Sequence, residues 1–272
     1  MIKISKILVQ PVNTDKILVR WEYAPTLENF SEYTFELQRS NSPESGFQTV
    51  FKFQDAIQFL DDLNFRRLWK NIYYRVVVTH TQTGKTATSS EYGFDYEPNL
   101  EALEIIRRND ILLKNRRHGV GLPVAVFIRK REGVRCECWD SEKKRVRVSN
   151  CDDCFQTGYY HGFYDPIIAW GNFTPDSKAS LVEQPGEREP NDNKVFFSNY
   201  PILLPRDVVI DVTLMRAWMI DGVDTSARRG HLLHQLVTMS LLDRNHVLYK
   251  LIERYPDLIS KVQEQKNRIK LA

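Results

Sequence analysis

A mainly β protein is expected here, with a metal-stapled segment in its second half, and three features point to it. Short apolar/polar alternations recur through the first hundred residues and return after residue 120. Clusters such as NSPESG and GKTATSS punctuate them as turns. All four cysteines of the 272-residue chain fall in one stretch, CECWDSEKKRVRVSNCDDC, from Cys136 to Cys154. At 42% hydrophobic and 27% charged residues the composition is that of a globular protein, long enough for two domains. A net charge of +3 is too small for indiscriminate nucleic-acid binding.

The opening MIKISKILVQPVNTDK has no long apolar core and no small-residue cleavage site. It is not read as a secretory signal, and the chain is expected to fold in a reducing cytosol. KILVRWEY places Ile17, Val19 and Trp21 on one face and Leu18, Arg20 and Glu22 on the other, the mark of a half-buried strand. Tyr33, Phe35 and Leu37 alternate in YTFELQRS, and FQTVFKF resumes the pattern after a turn. Tyr74, Val76 and Val78 alternate in IYYRVVVTH, and GKTATSSEYGF supplies a turn and a last strand. The adjacent Asp61 and Asp62 are expected in a turn rather than as a paired acid and base. Short strands at this spacing argue a Greek-key β-sandwich.

These residues resemble a fibronectin type III domain over residues 1–97. VRWEYAP with Trp21 looks like the second strand, YTFELQRSNSPESGFQTV like the third and fourth, and LWKNIYYRVVV like the corner and sixth strand. The resemblance implies that the Tyr74 hydroxyl bonds back to the corner backbone, with Leu68 six residues before it. Lys70 and Ile72 stand where the family usually has threonine and proline. Such a module is a spacer or adhesion unit and implies little about activity.

Residues 98–118 read as an amphipathic linker helix. Leu103, Ile106, Ile111 and Leu112 are its apolar positions and Gly119 its close. Arg107, Arg108, Lys114, Arg116 and Arg117 make it cationic, and a solvated face explains them better than a nucleic-acid contact. The next segment, 119–255, reads as a β-rich body, a meander or small barrel. LPVAVFIRKR, TGYYHGFYDPIIAWGNF and YPILLPRDVVIDV supply strands, with Val208, Ile210 and Val212 in alternation. HVLYKLIERYP continues that body. Residues 174–194 are expected to be a long exposed loop, and 256–272 a terminal helix or arm; both suit ordering on a partner.

The cysteines fall as C-x-C, twelve residues, then C-x-x-C. Two close pairs separated by a hairpin-length insert can deliver four sulfurs to one tetrahedral ion. Cytosolic disulfides are rare, which disfavours two bridges. Zinc held by Cys136, Cys138, Cys151 and Cys154 is therefore expected as a structural ion; the alternative is four reduced thiols. Tyr159, Tyr160, Phe163 and Tyr164 are expected to pack over this staple rather than to stack on bases.

No nucleophile elbow, phosphate loop or H-E-x-x-H pair occurs. His231 and His234, three apart in a strand-like run, are expected on opposite faces and not as metal ligands. An enzyme is not expected. The run PVAVFIRKR…CECWD…CDDCFQTGYYHGFYDP, with YPILLPRDVVIDV and SARRGHLLHQLV, is similar to structural proteins of tailed bacteriophages from the neck, connector, tail or baseplate. The resemblance spans roughly residues 100–250. It implies a viral protein of the virion, made in the host cytoplasm and packed against other virion proteins and copies of itself in a symmetric oligomer. No apolar run approaches the length that spans a bilayer, and contact with nucleic acid or a host-surface glycan is left open. The alternative is a zinc-ribbon nucleic-acid-binding protein with an adhesive accessory domain.

Overall fold

The structure, a computed structural model, describes residues 1–13, 15–24, 26, 28, 30–63, 71–94, 99–114, 119–173 and 192–271. It is mainly β. Eight strands come first: β1 (Ile4–Pro11), β2 (Lys16–Tyr23), β3 (Tyr33–Ser40), β4 (Gln48–Phe53), β5 (Gln58–Asp62), β6 (Ile72–His80), β7 (Thr86–Thr88) and β8 (Tyr92–Phe94). They form one antiparallel sheet in the order β1-β2-β5 and another in the order β4-β3-β6-β7, with β8 on the same edge of β6 as β7. Ser89 marks the break between β7 and β8, and its hydroxyl accepts from the Val76 N–H at 3.0 Å.

The period-2 pattern explains the packing. Ile17, Val19 and Trp21 of β2 meet Phe35, Leu37, Tyr74, Val76 and Val78 of β3 and β6 in one buried cluster. The Trp21 and Phe53 rings lie 4.4 Å apart, and the Trp21 indole and the Tyr23 hydroxyl both donate to the Ala56 carbonyl. The polar tips of two core aromatics are thereby satisfied.

Two expectations change here. Asp61 is not in a turn. It lies on β5, buried, where it accepts from the Tyr74 hydroxyl at 2.8 Å and pairs with Arg39 at 2.7 Å. Tyr74 therefore bonds to a carboxylate rather than to corner backbone. A buried carboxylate needs such partners, and cross-sheet partners leave no local trace in sequence. Asp62, its neighbour, points outward as strand geometry requires. Leu68 and Lys70 lie outside the described residues, as do Arg116, Arg117 and 174–191 of the expected loop.

Helix α1 (Leu100–Lys114) starts at Asn99, whose side chain accepts from the Ala102 N–H. Ala102, Leu103, Ile106 and Leu113 are its buried residues, whereas Ile111 and Leu112 are exposed. At 100° per residue, 111 and 112 rotate away from the stripe through 103, 106 and 113. The last carbonyls are met by the N–H groups of Val120 and Gly121, not by Gly119. Glu104 binds Arg107 and Arg108, and Asp110 binds Lys114. These cationic side chains serve intrahelical pairs, as a solvated face does.

The remaining long strands close a six-stranded barrel. They are β9 (Leu122–Phe127), β12 (Ile167–Phe173), β13 (Asp192–Ser198), β14 (Val208–Asp211), β15 (Arg216–Arg228) and β16 (His231–Leu241), in the order β12-β13-β16-β15-β14-β9. Between β9 and β12 lies a two-stranded hairpin, β10 (Trp139–Asp140) and β11 (Arg145–Val146). Every barrel strand contributes to the inner core, through Val126, Ala169, Phe197, Val209, Ile220 and Val237 among others. β14 does not alternate in burial, because its outer face is covered too. Val208 and Ile210 pack with Ala125, Phe127, a 3-10 turn (Val247–Leu251) and helix α2 (Leu258–Leu271). HVLYKLIERYP is thus partly helical rather than a further strand. Of the two forms expected for 256–272, the chain takes the helix. No helix among the described residues is long and apolar enough to cross a membrane.

Sandwich and barrel share one continuous core, which includes Ile128 and Tyr164. At the junction Lys130 pairs with Asp55 at 2.6 Å, and the Asn199 amide donates to the Val12 carbonyl at 3.0 Å. Burial pushes the Asp55 carboxyl up to about 6 despite Lys130. Burial also pushes the fully enclosed Asp207 up to about 6, against the Arg129 and Leu204 N–H groups that bond it. A carboxyl with a raised folded pKa takes up a proton on folding. Its contribution is therefore fully present below its unfolded pKa near 4 and is lost as pH rises through about 6. The loss is at most on the order of 3 kcal/mol per group. Urea titrations from pH 4.5 to 7.5 should show a shallower decline for Asp55→Asn than for wild type. Identical pH slopes would show that Asp55 titrates normally.

Candidate metal centre

The cysteine segment is built between two strand-like arms. Outgoing residues 128–136 and returning residues 158–164 bond through Lys130 N–H to Gly162 O, Cys136 N–H to Gly158 O, and Tyr160 N–H to Val134 O. Each cysteine pair sits on a tight turn. Cys136 O accepts from Trp139 N–H, Cys151 O from Phe155 N–H, and Cys154 O from Thr157 N–H. The intervening insert is the β10–β11 hairpin, whose turn is fixed by Asp140 accepting from the N–H groups of Glu142 and Lys143.

Two glycines are required by this geometry. Gly158 has φ +77°, and a Cβ there would stand 2.5 Å from the Trp139 ring. Gly162 has φ +61°, and a Cβ would stand 2.5 Å from the Cys154 carbonyl oxygen. A side chain at either position meets both left-handed strain and a clash.

The four sulfurs converge. Cys138 Sγ lies 3.3 Å from both Cys136 Sγ and Cys154 Sγ, Cys136 Sγ lies 3.7 Å from Cys151 Sγ, and all four fall within 4.8 Å of one another. No pair is a disulfide. A tetrahedron with metal–sulfur bonds of about 2.3 Å has edges of ~3.8 Å, so the set is close to the size of one ion. Burial, then the neighbouring sulfurs, pushes the Cys138 thiol up strongly. Cys151 moves the other way: burial raises it, but the N–H groups of Cys154 and Asp153 and the nearby thiols outweigh that. Four thiolates this close repel one another, and a divalent cation supplies the charge that lets all four ionise. Four sulfur donors leave no open coordination position, so the chemistry fits a staple and not a Lewis acid.

The surrounding side chains brace the segment. The Arg135 guanidinium lies between the Trp139 and Tyr159 rings, 4.1 and 4.0 Å from their centroids. Phe155 and Phe163 enter the core on the outer face of the barrel, and Tyr164 enters the shared core. Tyr160 is 44% exposed. Lys250 pairs with Asp152, and Arg254 donates to the Asp152 carbonyl while its guanidinium covers the Phe155 ring. Lys250 and Arg254 stand about a hundred residues beyond the cysteines, so sequence spacing gave no sign of them. His231 and His234 lie on β16 as expected, His231 buried and His234 against the Phe196 ring. Neither joins a metal-type cluster among the described residues.

No protein-family model matches this chain, and no curated protein matches it.

Proposed function

We propose that this protein is a structural component of a tailed-phage virion, working by packing in the neck, connector or tail region and not by catalysis. The observation that carries the reading is the β15–β16 hairpin. β14 pairs with β15 only from Arg216 to Met219, whereas β15 runs on to Arg228 against β16. From Gly222 onward the other edge of β15 has no backbone partner among the described residues. A free edge of this length is a template for a neighbouring chain in a ring. The strand order β1-β2-β5 against β4-β3-β6-β7, with Trp21 in the core, supports a fibronectin type III-like sandwich as an accessory unit. The sulfur spacing supports zinc over four reduced thiols. On this reading the chain is found in the virion with other virion proteins and its own copies.

The nucleic-acid alternative would use the basic hairpin residues Lys143, Lys144 and Arg145. Arg147 faces Asp140 at 3.4 Å, and Glu137 and Glu142 lie in the same stretch, which leaves that surface weakly cationic. Mass spectrometry and a density map of purified particles test the proposal. The chain should be present in a fixed, symmetric copy number. Absence from particles, together with steeply salt-dependent DNA binding by the free protein, would favour the alternative.

A further inference from the structure

Where the sandwich, the cysteine segment and residues 251–255 meet, they line an open cavity of about 330 Å³. That is the lower end of the range for small-ligand sites, about 300–1,000 Å³. Its lining combines rings and carboxyls: Phe30, Tyr160 and Tyr255 with Asp55, Glu132 and Asp165.

The charge balance of this cavity is uneven. Two cations border it, and both are engaged. Lys130 is buried against Asp55, and Arg254 is held by the Asp152 carbonyl and the Phe155 ring. Asp165 accepts from the Tyr255 hydroxyl, at 3.2 Å, with Lys130 and Lys261 near it but in no close pair, and Glu22 stands near Glu132. Neither carboxylate has an ion-pair partner among the described residues. Burial raises all three carboxyls, with Glu22 adding to the effect at Glu132. His161 on the rim is held low, by burial and then by Lys130 and Arg254, so it supplies no charge at neutral pH. An anion would meet three carboxyls in the lining against two cations that already have partners. A cation brings the missing charge, and aromatic walls favour one carried on an apolar stem.

We propose that this cavity binds an organic cation, an alkylammonium or guanidinium group on a short apolar stem, with Glu132 and Asp165 as its counter-ions and Tyr160 and Tyr255 against the stem. A basic side chain of a neighbouring protein and a free polyamine present the same chemistry. The proposal does not depend on the virion reading.

Amide NMR of the full-length, zinc-loaded protein tests it with four probes at constant ionic strength: n-butylguanidinium, spermidine, an N-acetyl-arginine methylamide and the neutral n-butanol. The cations should shift amides of residues 132–134 and 160–165, and n-butanol should not. The stronger of spermidine and the arginine amide identifies the source. The double variant Glu132→Gln/Asp165→Asn should weaken the cation at least about tenfold, since it removes both counter-ions. Asp165→Asn keeps an acceptor for Tyr255, and an unchanged melting temperature and zinc content would show that the fold survives. Equal shifts from n-butanol, an undiminished effect in the double variant, or no cation-induced shift at these residues would overturn the proposal.

Discussion

Cys151→Ser is expected to abolish metal binding and unravel the segment from about residue 134 to 164, leaving the sandwich strands protected. Wild-type protein purified without added metal should carry one zinc per chain. The size of the effect follows from what the segment lacks. Its regular structure is the two-residue pair β10–β11 and a few bridges between its arms. Hairpins this short are not stable alone. Structural zinc sites contribute roughly 10–16 kcal/mol of apparent binding energy in small zinc modules, far more than such a hairpin can supply. The surroundings favour Cys151 as a thiolate, and a serine hydroxyl is a far poorer zinc donor at neutral pH. Phe155 and Phe163 reach the core on the outer face of the barrel, so β9 and β14 should lose some protection. β2, β3 and β6 bury their faces in the other cluster, which the segment enters only through Tyr164 at its end among the described residues, and should keep most of theirs. Hydrogen exchange and elemental analysis decide the matter. A metal-free wild type with four titratable thiols and full protection at 134–164 would sink the staple.

What could be read in the sequence was whatever is specified locally. β2, β3 and β6 each have one core face and one outer face, so alternation reveals them. The cysteine cluster was legible because its ligands arrive from one short stretch. β14 was misread as alternating because a second core lies behind it, and a strand buried on both faces has no period. The 3-10 turn at Val247–Leu251 is not distinguished from the β-rich body in sequence because a short apolar run does not declare its period. Asp61 looked like a turn residue because its partners, Arg39 and Tyr74, come from the opposite sheet. The junction cavity draws its lining from residues 30, 55, 132, 160, 165 and 255, and no local pattern connects these. The four convergent cysteines were thus legible, but not the braces around them, Lys250 and Arg254.

Deleting residues 256–272 should lower the stability of the barrel by about 5 kcal/mol, from the burial of two aliphatic side chains. Residues 256–272 are expected from sequence to be a helix or arm suited to ordering on a partner, but the first turns of the helix are part of the core. Leu258 and Val262 are almost completely buried, and they pack in one cluster with Ala125, Phe127, Val208 and Ile210. Each such aliphatic residue contributes about 1.5–3 kcal/mol by burial, and its removal also exposes the strand face beneath. That loss is a large fraction of the 5–15 kcal/mol by which a domain is usually stable. An assembly defect in the full deletion would therefore reflect a damaged barrel as much as a missing contact. A second truncation, removing only 265–272, retains Leu258 and Val262 and separates the two effects. Thermal unfolding should show an early barrel transition in the longer deletion and a near-normal one in the shorter. If the shorter deletion folds normally but fails to enter particles, the end of α2 acts on a partner. If the longer deletion melts with the full-length chain, the buried contacts of Leu258 and Val262 do not hold the barrel, and its outer face must be closed by β9, β14 and the 3-10 turn alone.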